Sequence, residues 1–97
     1  MKKLLPMKDL LMLHEAWFEI AKRIESGEET WICNAASWLF RDKRISKNVL
    51  DEILRRVGVE RKRQGVEGSA LWRHADAYAD SGRALRIRFI ASELRML

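Results

Sequence analysis

One stretch constrains the fold more than any other: Thr30-Trp31-Ile32-Cys33-Asn34-Ala35-Ala36-Ser37-Trp38-Leu39-Phe40. Wound as a helix, it is apolar nearly all the way round. Thr30, Asn34, Ser37 and Arg41 recur at i, i+4, i+7 and i+11 and make one narrow polar stripe. A helix with so little polar surface is normally enclosed by its neighbours. The spacing therefore predicts a buried central helix over 30–41 and an all-α chain organised around it.

The flanking sequence supplies the neighbours. Leu10, Leu13, Trp17, Ile20 and Ile24 share one helical face, widened by Leu11 and Phe18, with Pro6 ahead and Gly27 behind, which predicts a first helix over 6–26. Glu28 and Glu29 suit the start of the central helix, and the short link predicts an antiparallel hairpin. Ser46 is placed to cap a third helix over 47–57, with Val49, Leu50, Ile53, Leu54 and Val57 inward and Gly58 ending it. Residues 59–68 hold Gly65 and Gly68 and no sustained period, so they read as a loop. Ser69 would cap a shorter fourth helix that turns Leu71, Trp72, Ala75, Tyr78 and Ala79 inward and stops at Asp80-Ser81-Gly82. A last helix over 83–96 would bury Ile87, Ile90, Leu94 and Leu97 on one stripe, with Leu85 and Phe89 alongside. Arg83, Arg86 and Arg88 crowd its start, the wrong end of the dipole for cations, which calls for acidic partners. The expected architecture is an all-α, irregular bundle of about five helices around 30–41, with residues 1–97 in a single domain.

Composition narrows the class. Apolar residues make up 47% of the chain, with one proline and five glycines, which is globular rather than disordered. A single cysteine cannot form an internal disulfide and fits a reducing compartment, so a cytoplasmic location is expected. The opening Met1-Lys2-Lys3-Leu4-Leu5-Pro6-Met7 imitates a secretion signal. Lys8 and Asp9 break the apolar run, however, and no small-residue cleavage site follows. No run approaches the roughly 20 apolar residues of a membrane span, so no membrane partner is expected.

The net charge of +5 is concentrated. Residues 41–63 carry nine Lys/Arg against four Asp/Glu, and the segments on either side nearly balance. Within it Arg41, Lys43, Arg44, Lys47, Arg61, Lys62 and Arg63 are the candidate partner-binding residues. Such a segment favours anionic partners, whether nucleic acid, a nucleotide or an acidic protein face, and its plain alternative is a solvated face with no specific partner.

Chemistry-bearing constellations are thin. Cys33, His14 and His74 are the only thiol or imidazole groups, and no two stand at ligand spacing, so no metal or cofactor is expected. His14 beside Glu15, and His74 near Asp76 and Tyr78, point to different helix faces and build no dyad. Gly65 and Gly68 make no phosphate-cradling loop. A non-enzymatic chain is expected.

Two binding readings remain. Helix 30–41, the turn and helix 46–57 have the lengths of a helix-turn-helix, with Lys47 and Asn48 at the start of the reader and Arg41, Lys43 and Arg44 for phosphates. Against it, the turn is charged and lacks glycine. The other reading is protein binding. Four tryptophans are many for this length, and Trp and Arg dominate binding hot spots. Trp17 and Trp38 lie on strongly apolar faces and read as core; Trp31 and Trp72, near helix starts, could be either. Apolar arcs on the first and last helices would allow a homo-oligomer.

The segment Gly27-Glu28-Glu29-Thr30-Trp31-Ile32-Cys33-Asn34-Ala35 and the late Arg86-Ile87-Arg88-Phe89-Ile90 resemble a loose group of small phage-encoded helical proteins. These share a leading amphipathic helix, a Gly-x-x-x-x-Ile-Cys-x-Ala segment and an Arg-Ile-x-Phe-Ile helix. The resemblance carries no catalytic residues over. It implies a bacterial cytoplasm and a small protein that binds and blocks a host factor, such as a defence complex or a transcription component.

Overall fold

The computed structural model describes residues 5–73 and 78–97, with no account of the side chains of Gln64 and 66–73. The described chain is helical without strands: α1 (Met7–Ser26), α2 (Ile32–Arg41), α3 (Lys47–Arg73) and α4 (Asp80–Arg95).

The first helix forms as its pattern predicts. Pro6 stands at its N-cap, and Gly27, at φ 84°, ends it in the left-handed conformation that glycine takes without a Cβ clash. Leu13, Ala16, Trp17, Ile20 and Ile24 are buried along one stripe. They join Ile32, Ala35, Ala36 and Leu39 of α2, Ile45 of the turn, Val49, Ile53 and Val57 of α3, and Phe89 and Ile90 of α4 in one hydrophobic core. Glu29 lies beside the start of α2, where its Oε1 accepts from the N–H groups of Thr30 and Trp31 at 2.9 and 3.3 Å.

The chain is all-α as expected, with four helices among the described residues, the third of them broken at Gly65, and they are not arranged around 30–41. Among the described residues the helix shared by the rest is α1, which packs against α2, α3 and α4, whereas α2 packs mainly on α1 and α3 and barely meets α4. Ile32, Ala35, Ala36 and Leu39 are covered, but Phe40 is exposed and Trp38, expected in the core, is 50% exposed.

The third helix does not stop at Gly58 but runs on through the stretch read as a loop, with its break at Gly65 (φ 76°, ψ −168°). Ser69 falls inside this helix rather than at its start. Ala75 and His74 lie outside the described residues, as do the side chains of Leu71 and Trp72. Tyr78, expected inward, is exposed. Asp80, Ser81 and Gly82 begin the last helix instead of separating two, with Ala79 at its N-cap.

The buried stripe of α4 is also rotated from expectation. It holds Gly82, Arg86, Phe89, Ile90 and Glu93, while Ile87 and Leu94 are half-buried and Leu97 is exposed. Two charged side chains therefore occupy the inner face. Glu93 accepts from Nε and Nη2 of Arg56 on α3 at 2.6 and 2.7 Å. Arg86, 1% exposed, lies with its guanidinium 5.5 Å from the centre of the Trp31 ring. Burial, reinforced by the nearby charge of Arg83, pushes the Arg86 pKa down.

Candidate interaction surface at the α2–α3 turn

The end of α2 is built as a Schellman turn. The Arg44 N–H donates to the Leu39 carbonyl at 2.9 Å and the Lys43 N–H to the Phe40 carbonyl at 3.0 Å, the paired 6→1 and 5→2 bonds of that motif. The motif demands a left-handed residue at its hinge, usually glycine. Here Lys43 takes it, at φ 59°, the one described non-glycine residue with positive φ. The absence of glycine from the turn is thus not an absence of the glycine conformation.

On this frame the cations stand clear of the core. Arg41, Lys43, Arg44 and Lys47 are all exposed. The Arg41 guanidinium lies 5.2 Å from the centre of the exposed Trp38 ring, a cation–π contact worth about 0.5–1 kcal/mol at such a site. Arg44 reaches Glu19 of α1 at 3.7 Å, and Lys47 pairs with Asp51 at 3.4 Å. Both pairs are solvent-screened and weak. Asn34 and Arg41 on the outer stripe of α2 are exposed, with Thr30 and Ser37 half-buried. The stripe therefore reaches the surface beside Lys43 and Arg44.

The start of α3 is tied inward. Ser46 caps it as expected, its Oγ accepting from the Val49 N–H at 3.2 Å. The same hydroxyl donates to Oδ1 of the buried Asp9 at 3.1 Å, the Ser46 N–H donates to Met12 Sδ at 3.1 Å, and Asn48 Nδ2 donates to Asp9 Oδ2 at 3.4 Å. The amide that a base-reading role would need at Asn48 is turned to a carboxylate of its own chain.

Arg61, Lys62 and Arg63 are not part of this surface. They begin about 21 Å further along α3, at 1.5 Å per residue. Arg61 is half-buried, with its Nε enclosed and without a hydrogen-bond partner among the described residues. It lies near Cys33, whose thiol pKa is pushed up by burial and drawn back in part by the Arg61 charge. Lys62 and Arg63 are exposed, and Arg63 makes a bidentate pair with Glu60, one turn away, at 2.6 and 2.9 Å. The seven residues thus form two groups, four at the turn and three at the far end of the α2–α3 pair.

One feature of the surface escaped the sequence. Trp38 was hidden by its apolar neighbours, although Arg41 three residues on was a readable signal for a stacked pair. Leu11 and Phe18, expected to widen the buried face of the first helix, are instead exposed with Met7 and His14 in an apolar arc on α1, where the His14 ring meets Phe18 edge-on at 5.1 Å. No group of three or more His, Cys, Asp or Glu side chains able to hold a metal ion occurs among the described residues. No described helix is long and apolar enough to cross a membrane. Compared with known proteins, the chain matches no family model, no curated protein and no solved structure.

Proposed function

We propose that this is a non-enzymatic, phage-type protein that acts in the bacterial cytoplasm by binding an acidic face of a host protein complex and inhibiting or redirecting it. The observation that carries the reading is Lys43. A lysine stands at a left-handed hinge where glycine would be easier, and its flanks present Arg41 stacked on Trp38 and the exposed Arg44. Strain held at a surface position is a pointer to function, and Trp with Arg is the pairing that most often anchors protein interfaces. The host class rests on the resemblance to small phage proteins; the surface rests on geometry. Of the seven candidate cations, Arg41, Lys43, Arg44 and Lys47 are assigned to it, and Arg61, Lys62 and Arg63 stand apart.

The second reading, nucleic-acid binding through the same turn, is favoured by the four exposed cations and disfavoured by the Asn48–Asp9 bond. Affinity capture from bacterial lysate, with and without nuclease, separates the two. The expected result is a protein partner that survives nuclease, is lost more than tenfold with Trp38→Ala or Lys43→Glu, and is retained with Lys62→Glu. If the turn variants keep every partner, the assigned surface is wrong. A salt-sensitive shift of duplex DNA that disappears with Lys43→Glu would give the nucleic-acid reading instead.

A further inference from the structure

A second surface lies between α3 and α4. Both helices pack on α1, but among the described residues they meet one another only sparsely, and a groove of about 460 Å³ opens between them. Each wall is one helical face: Arg56, Val59, Glu60 and Arg63 stand at i, i+3, i+4 and i+7 on α3, and Leu85, Arg88, Phe89 and Ser92 repeat that spacing on α4. Val59, Leu85 and Phe89 give the groove an apolar floor, and the Arg56–Glu93 pair bridges its walls at 2.6 Å. Two helices that turn matching faces to each other without closing leave room for a third.

The charge of the lining says what the third must carry. Glu93 and Glu60 are matched by Arg56 and Arg63, which leaves the exposed Arg88 and Arg95 as the surplus among the described residues of the lining. These two stand one heptad apart on α4, about 10 Å along its axis. We infer that the α3–α4 groove is a docking site for an acidic amphipathic helix of a partner protein, two to three turns long, with apolar residues on its inner face and two carboxylates one heptad apart facing Arg88 and Arg95. This is recognition by a helix laid in a groove, with the arginines fixing which helices fit. The site is separate from the α2–α3 turn and does not depend on that surface.

The probe is a fluorescein-labelled synthetic helix of about three turns, with leucines at i, i+3, i+4 and i+7 and glutamates one heptad apart on the flank. A second version carries lysines in place of the glutamates. Fluorescence anisotropy at low ionic strength should show saturable binding of the glutamate peptide, at least tenfold tighter than of the lysine peptide. Arg88→Glu with Arg95→Glu should weaken the glutamate peptide at least tenfold and strengthen the lysine peptide. Arg88→Gln with Arg95→Gln should weaken the first without strengthening the second. Lys43→Glu should leave all of these unchanged, so failure here and failure at the turn are read separately. The proposal is overturned if the glutamate peptide does not bind or the two peptides bind alike. It is also overturned if charge reversal at Arg88 and Arg95 has no effect while circular dichroism shows the helices intact. Binding of duplex DNA to the same arginines in preference to the peptide would overturn it as well.

Discussion

Lys43 holds its left-handed backbone at φ 59° against the steric preference of every residue with a Cβ. Lys43→Gly should raise stability by about 0.5–1 kcal/mol, the relieved strain less the extra backbone entropy of glycine, and should weaken capture of the partner. Urea denaturation beside the capture assay reads both effects, and a variant that gained stability and kept full binding would show that the side chain is idle. A second residue tests burial. The Cys33 thiol pKa is raised by desolvation, so the fold favours the neutral thiol. Its contribution to stability is present below the ordinary thiol range and is lost as pH rises through the raised folded value. Stability should fall as pH climbs past that range, and Cys33→Ala should flatten the fall, measured by urea titration over alkaline pH. At this scale much was legible: Ser46 as the cap, Gly27 as the stop and Trp17 as core all follow from local rules. Trp38 was not, because a run of apolar residues does not say which of them a neighbour will cover.

The helices show where periodicity fails as a guide. Residues 59–68 carry Glu60-Arg61-Lys62-Arg63, and a charged run erases the apolar repeat by which a helix is recognised. The helix persists there regardless, with Glu60 and Arg63 bonded one turn apart and Gly58 tolerated inside it at a cost of about 1 kcal/mol relative to alanine. The interruption comes at Gly65, whose φ 76° and ψ −168° lie in a region essentially closed to residues with a side chain. Gly65→Ala should therefore cost about 1–3 kcal/mol and speed amide exchange in the neighbouring turns, although no atom outside its local backbone stands within 4 Å of the added Cβ. A gain in stability would mean that α3 prefers to run straight. The α2–α3 basic surface was half legible: the charge excess was plain, but a helix of this length separates 41–47 from 61–63, and that length was the part misread.

Across the whole molecule, two charged residues on the inner face of α4 decide how it sits. Glu93→Ala leaves the Arg56 guanidinium half-buried without its bidentate partner and should cost roughly 3 kcal/mol. Glu93→Leu with Arg56→Met should recover much of that, since the hydrogen bonds that raise the Arg56 pKa are removed from both sides at once. Thermal unfolding of the two variants tests this, and equal losses in the single and double variants would contradict it. The orientation of α4 was not readable because its expected apolar face and its buried stripe coincide only at Phe89 and Ile90.

The Ser46 hydroxyl has one further consequence, for anyone who would borrow the turn. It caps α3 and, across 37 residues of chain, grips Asp9 of α1. The turn is therefore finished only when α1 has docked, and its formation carries the loop-closure cost of that distant contact. A transplant of α2, the turn and the first part of α3 onto another scaffold would carry every cation of the surface and lose the strut behind them. A working graft has to bring Asp9 and Met12 along.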